Sequence, residues 1–342
     1  MRAIGGISAI VSIAAAVALV LLPEATAELF AVLVVALAAL WLAAWLRARP
    51  GLIASAAVFG GFAVMVASPF SITRQHLNQL NRAARQGDQA ADALIAFYAT
   101  LGPFAPFLML LLVALVAGAL VLAARRAPEG AFAFLLSESE ALARLTSAVG
   151  IVASFLYLPM ILIIVYDVAQ RKYLDFDAEF TRTGLYQIFT STRLQEMEWH
   201  LHAVLFLACL GFAYARDAHV RIELVRERLG PRTRVWIELA ACFLFLVPYC
   251  YVVVLYGFDF ARNSFTILER SSAQTGLEYR FIIKSFLPFG FLVLALAGLS
   301  VALKCIVYLF GPREFRAASG YYAGVHHGDM PDVEPLPSEG AR

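Results

Sequence analysis

The sequence predicts an all-α integral membrane protein of about eight transmembrane helices, with a short amphipathic cytoplasmic helix after the sixth. Three observations lead there. Of the 342 residues, 61% are hydrophobic and only 15% charged, against roughly half and a quarter in a soluble domain. Mean hydropathy is +0.75, so most of the apolar surface must face lipid or neighbouring helices. The apolar residues also come in punctuated runs close to the ~20 residues that a bilayer core requires.

The runs follow in order. Ile4–Leu22 stops at Pro23-Glu24, and Leu29–Leu46 ends at Arg47, Arg49 and Pro50-Gly51. Leu52–Ala67 is short and closes at Ser68-Pro69. The fourth, Phe104–Ala124, carries Pro103 and Pro106 near its start, where proline is tolerated. The fifth, Leu145–Val165, contains Pro159 and is expected to kink there. Trp199–Ala215, Val235–Tyr256 and the long Phe281–Phe310 complete the set, the last expected to tilt, or to kink near Pro288. The first run resembles a signal peptide in outline, with Arg2 before it and Ala25-Thr26-Ala27 after it. It is longer than the usual 7–15 apolar residues and is interrupted by Pro23, so it is read as a retained span.

Charge sets the expected orientation. With the N-terminus inside, the majority of the 27 Lys and Arg residues fall in cytoplasmic segments, densest between Arg216 and Arg234. Short basic loops stay inside, so both termini are expected in the cytoplasm. The net charge of +2 gives no reason to expect nucleic acid as a partner. Cys209, Cys242, Cys250 and Cys305 lie in apolar stretches without C-x-x-C spacing, as small buried thiols do.

Four regions are expected: a four-span region 1–126, a linker 127–144 marked by Pro128-Glu129-Gly130, a four-span region 145–312, and a disordered cytoplasmic tail 313–342. The polar stretch Phe70–Asp92 is read as a surface helix. Asp175, Asp177 and Glu179 lack the glycine and further oxygen ligands of a calcium loop, so they read as a solvated loop. His200 and His202, two apart, cannot share a helix face and do not make a haem pair. No catalytic, cofactor or metal constellation is recognised.

The informative residues lie in the second half. Glu196, Glu198 and Trp199 open the sixth span, with Trp199 an interfacial anchor. Arg216-Asp217 ends that span, and His219 and Arg221 begin a segment with Val220, Leu224, Val225 and Leu229 on one face. Its arginines would reach anionic lipid, and Gly230-Pro231 would end it. Lys284 reads as the deepest basic residue of this half, expected to snorkel to the outer surface or to pair with a partner.

The run Gly211-Phe212-Ala213-Tyr214-Ala215-Arg216-Asp217-Ala218-His219-Val220-Arg221-Ile222-Glu223 resembles the signature of the small permease subunit of tripartite ATP-independent periplasmic (TRAP) transporters. The pair Glu198-Trp199 agrees with it. So does Thr275-Gly276-Leu277-Glu278-Tyr279-Arg280-Phe281-Ile282-Ile283-Lys284, followed by Pro288-Phe289-Gly290-Phe291. The resemblance covers about Ser147–Phe310 and leaves the first four runs as an unusual N-terminal extension. It implies a bacterial inner-membrane subunit with a large permease and a periplasmic solute-binding protein as partners, sodium and substrate being held by the large subunit. Organic acids are the implied cargo, and Glu198, Trp199, Arg216, Asp217, His219, Arg221, Lys284 and Pro288 the candidate structural or partner contacts. The alternative class is a stand-alone structural or enzymatic membrane protein.

Overall fold

The computed structural model describes residues 41, 44–45, 74–101, 104–218, 228–273 and 275–322. The first three apolar runs (apart from Trp41, Ala44 and Trp45), the amphipathic segment after Ala218, with His219 and Arg221, and the tail beyond Tyr322 lie outside the described residues. All regular secondary structure among the described residues is helical. Four of its helices, Ala131–Leu174, Ser191–Ala215, Pro231–Thr266 and Phe281–Phe310, are long and apolar enough to cross a membrane. They contain the fifth to eighth runs.

Helices α1 (Arg74–Arg85) and α2 (Gln89–Leu101) form a hairpin. Its turn uses Gly87 at φ 89, and the Asp88 carboxylate accepts from the amides of Ala90 and Ala91 at 3.0 and 3.3 Å, an N-cap for α2. Helix α1 lies within the stretch Phe70–Asp92 read as a surface helix. Helix α3 (Ala105–Arg126) takes up the fourth run, with proline in its first turn.

Helix α4 (Ala131–Ser154) begins inside the stretch read as a linker. The chain turns at Phe155-Leu156 and continues as α5 (Tyr157–Ala169). Pro159 explains the break: its ring opposes the Phe155 carbonyl, which accepts instead from the Leu158 amide at 3.3 Å. A π-wound turn, Gln170–Leu174, follows, then the short α6 (Gly184–Ile188) and the long α7 (Ser191–Ala215). Helix α8 (Pro231–Ala241) starts with proline at its first position. It passes through a second π turn, Cys242–Leu246, into α9 (Val247–Thr266). Pro248 withdraws one amide from the ladder, and the extra residue per turn accommodates the loss. Helix α10 (Phe281–Phe310) contains Pro288, and α11 (Arg313–Tyr322) occupies the start of the tail read as disordered.

By their internal contacts the residues fall into two compact units. The first comprises Met1–Leu142, Glu223–Phe245 and Leu299–Arg342. Its apolar core gathers Ala44, Ala119, Ala123, Phe134, Leu142 and Leu303. The second comprises Ala143–Ile222 and Leu246–Gly298, and its helices approach one another through glycine. A Cβ on Gly211 of α7 would lie 2.7 Å from the Val293 carbonyl oxygen of α10, and one on Gly290 of α10 would lie 2.6 Å from the Leu207 carbonyl oxygen of α7. One on Gly150 of α4 would lie 2.3 Å from the Phe212 Cβ of α7. Between membrane helices, small residues let backbones meet and so increase van der Waals contact.

Candidate functional site: a clasped loop and a capped signature helix

The second unit holds almost every described residue singled out by the sequence. Its centre is α7, whose first turns grip the loop between α9 and α10. That loop leaves α9 through Leu268 at φ 46. The Leu268 amide donates to the Phe265 carbonyl and the Glu269 amide to the Ser264 carbonyl, both at 3.0 Å, the double bond of a Schellman cap. A leucine in the left-handed region is strained, and the bonds around it hold it there. Two further backbone bonds fold the loop on itself: Arg280 donates to the Glu269 carbonyl at 3.0 Å and Ser271 to the Leu277 carbonyl at 3.1 Å.

Glu196 closes the clasp. Its carboxylate accepts from the Ser271 hydroxyl and from the Leu277 amide at 2.5 Å. One turn earlier, Arg193 donates to the Thr275 carbonyl at 3.0 Å and to the Ile188 carbonyl at 3.3 Å. Gly276 is required at the tip, because a Cβ there would meet Ser271 Cβ at 2.4 Å and Glu196 Oε2 at 2.8 Å. The loop's other end is tied electrostatically. Lys284 donates to the Glu269 carboxylate and lies 4.0 Å from the Phe260 ring centroid, while Arg280 stacks over Trp199 at 5.5 Å. The Lys284 ammonium, with lesser help from Ser264 and Arg280, holds the Glu269 carboxyl below its ordinary range despite partial burial.

The preceding loop is anchored on the same helix. Asp167, fully buried, accepts from the Ser191 hydroxyl at 2.7 Å and from Arg171 at 2.5 Å. Glu198 lies within electrostatic reach of that pair. Asp177 accepts from the amides of Glu179 and Phe180 at 2.9 and 3.4 Å, so it caps a turn. A pocket of about 250 Å³ opens beside the clasp, lined by Ile188, Phe189, Arg193, Leu194, Met197 and Leu277.

At the other end of α7 the signature run has a structural meaning residue by residue. Gly211 permits the contact with Val293, and Phe212 packs on Gly150. Arg216 reaches back over the Phe212 ring at 5.5 Å and donates to the Ser147 hydroxyl at 3.5 Å. Asp217 sits at φ 57, where aspartate is among the few side-chain-bearing residues tolerated. Its amide donates to the Tyr214 carbonyl at 3.2 Å, and the Ala218 amide donates to the Ala213 carbonyl at 2.8 Å. This is a second Schellman cap, and it ends α7. Both Arg216 and Asp217 are exposed.

The structure thus brings Trp199 and Lys284 to one loop and places Arg216 and Asp217 at the opposite end of α7. Pro288 packs against Gly257 of α9, its Cδ 3.2 Å from where a Cβ would be. Lys284 meets an acid in its own chain. Glu269, Asp167 and Arg193 went unrecognised in the sequence because no motif joins them; their signal is ionisable residues beside helix ends flanking an apolar run. Among the described residues no group of three or more His, Cys, Asp or Glu could hold a metal ion.

No curated protein and no solved structure matches the chain. A family model does, and its limits enclose both the clasp and the cap: residues 160–307 are similar to the DctQ component of tripartite ATP-independent periplasmic transporters, a transport component and not an enzyme.

Proposed function

We propose that the chain is the small membrane subunit of a sodium-driven uptake system for organic acids, and that it braces a large permease subunit. The observation that carries this reading is the family match over residues 160–307, coincident with the glycine contacts and the clasped loop that tie α7, α9 and α10 together. Sodium and substrate belong on the large subunit in this reading, and a periplasmic solute-binding protein completes the system. Both termini face the cytoplasm of a bacterial inner membrane, which puts the 267–280 loop and its pocket on the periplasmic side. Residues 1–126 and 145–312 act as an extension and a small-permease domain. Arg216, Asp217, His219 and Arg221 mark the cytoplasmic junction, and Glu198, Trp199, Lys284 and Pro288 set the periplasmic half.

The test is co-purification of the large subunit at matched expression. Arg216→Ala and Asp217→Ala are expected to weaken it, with Arg232→Ala as the control. Equal retention in all three would reduce the junction to a topology signal. Reporter fusions after Arg126, Arg193 and Arg234 check orientation, expected inside, outside and inside.

A further inference from the structure

Within the first unit, the second half of α10 is buried nearly all round. Ser300, Val301, Ala302, Lys304, Cys305 and Val307 are each at most 4% exposed. A helix enclosed on every side needs partners on every side. Several of those partners precede residue 160, outside the family match. Leu303 packs in one core with Ala119 and Ala123 of α3 and with Phe134 and Leu142 of α4. The Ser300 hydroxyl donates to the Ser139 carbonyl at 2.6 Å, fully buried. A Cβ on Gly311 would touch the Phe132 ring at 3.4 Å.

Lys304 makes this enclosure selective. It is 1% exposed, and a buried ammonium persists only with an opposing charge. The residues that approach it from α4 include Glu140, whose charge acts on it directly. Ser139, next to Glu140, is the residue bonded to Ser300, one turn before Lys304.

We propose that residues 119–142, outside the family match, are the fixed seat of the last turns of α10, with Glu140 the counter-charge for Lys304. These residues are then part of the fold that encloses α10 and not a detachable module. Such a pair makes a distinctive demand: losing one member strands the other charge, while replacing both with neutral groups is tolerated.

The test uses the full chain expressed in membranes, comparing Glu140→Gln, Lys304→Met and the double variant by the amount of folded protein recovered in mild detergent. Each single change is expected to reduce recovery at least fivefold, and the double variant to return to within about twofold of the parent. A charge swap, Glu140→Lys with Lys304→Glu, is expected to recover more protein than either of its single changes. The proposal is overturned if either neutralising change is silent, or if the double variant is as poor as the two losses multiplied.

Discussion

Removing the Glu196 carboxylate is the sharpest perturbation of the loop clasp. In Glu196→Ala the Ser271 hydroxyl and the Leu277 amide both lose their acceptor, while the backbone bonds between Glu269 and Arg280 and between Ser271 and Leu277 remain. A hydrogen bond to a charged group contributes about 1.5–3 kcal/mol, and a stranded N–H costs about 1–3 kcal/mol. The site is only part-buried, so the lower ends apply, giving a loss of about 3 kcal/mol in local stability. That corresponds to roughly a hundredfold rise in loop opening. Hydrogen exchange of the 271–280 segment in detergent reads it directly, and the Leu277 amide is expected to lose about a hundredfold in protection. Glu196→Gln keeps a carbonyl acceptor and should lose only about tenfold. Global unfolding should move little, because the helix contacts are untouched. Protection of Leu277 in the alanine variant within threefold of the parent would refute the clasp.

Other consequences are as specific. Gly211→Ala places a methyl 2.7 Å from a carbonyl oxygen of the Val293 backbone, which cannot step aside as a side chain would. A loss of about 1–3 kcal/mol should appear in thermal unfolding, whereas Gly184→Ala, with open space around it, should not shift the midpoint. At the cap of α7, Asp217→Val should cost about 1–2 kcal/mol more than Asp217→Gly because of the positive φ at that position; the same melts check both. The Glu269 pKa is lowered in the fold, so its contribution is complete above the ordinary carboxyl value of about 4.3. It is lost as pH falls through the lower folded value. Loop protection should therefore fall on acidification below about pH 4.3, and Lys284→Met should flatten that dependence.

Much of the fold was legible because lipid imposes a simple rule: a spanning helix must be apolar over its length and satisfy its own backbone. The runs at Trp199–Ala215, Val235–Tyr256 and Phe281–Phe310 follow from that alone. Extensions at their ends were not legible. Helix α7 begins at Ser191 because Thr190 accepts from the Arg193 amide at 3.4 Å, a polar start invisible to hydropathy. The helices inside the stretches read as linker and tail were hidden for a related reason. Ala131–Ser154 and Arg313–Tyr322 include short polar segments whose helicity depends on packing, as buried Glu138, Ser139 and Ser319 show. At the candidate site the signature run announced itself as unusual, but its purpose required coordinates. Only a φ of 57 shows that Asp217 is a cap, and only the fold pairs Lys284 with Glu269. Lys284 reads as the deepest basic residue of the second half, yet Lys304, which no motif singled out, is more deeply buried.

Solute uptake into vesicles tests the subunit reading most directly. The purified chain, reconstituted alone with an inward sodium gradient, should take up no organic acid. Adding the large permease and the solute-binding protein should start gradient-dependent uptake. Uptake by the chain alone would contradict the account, and so would a system whose large permease and binding protein transport equally well without it.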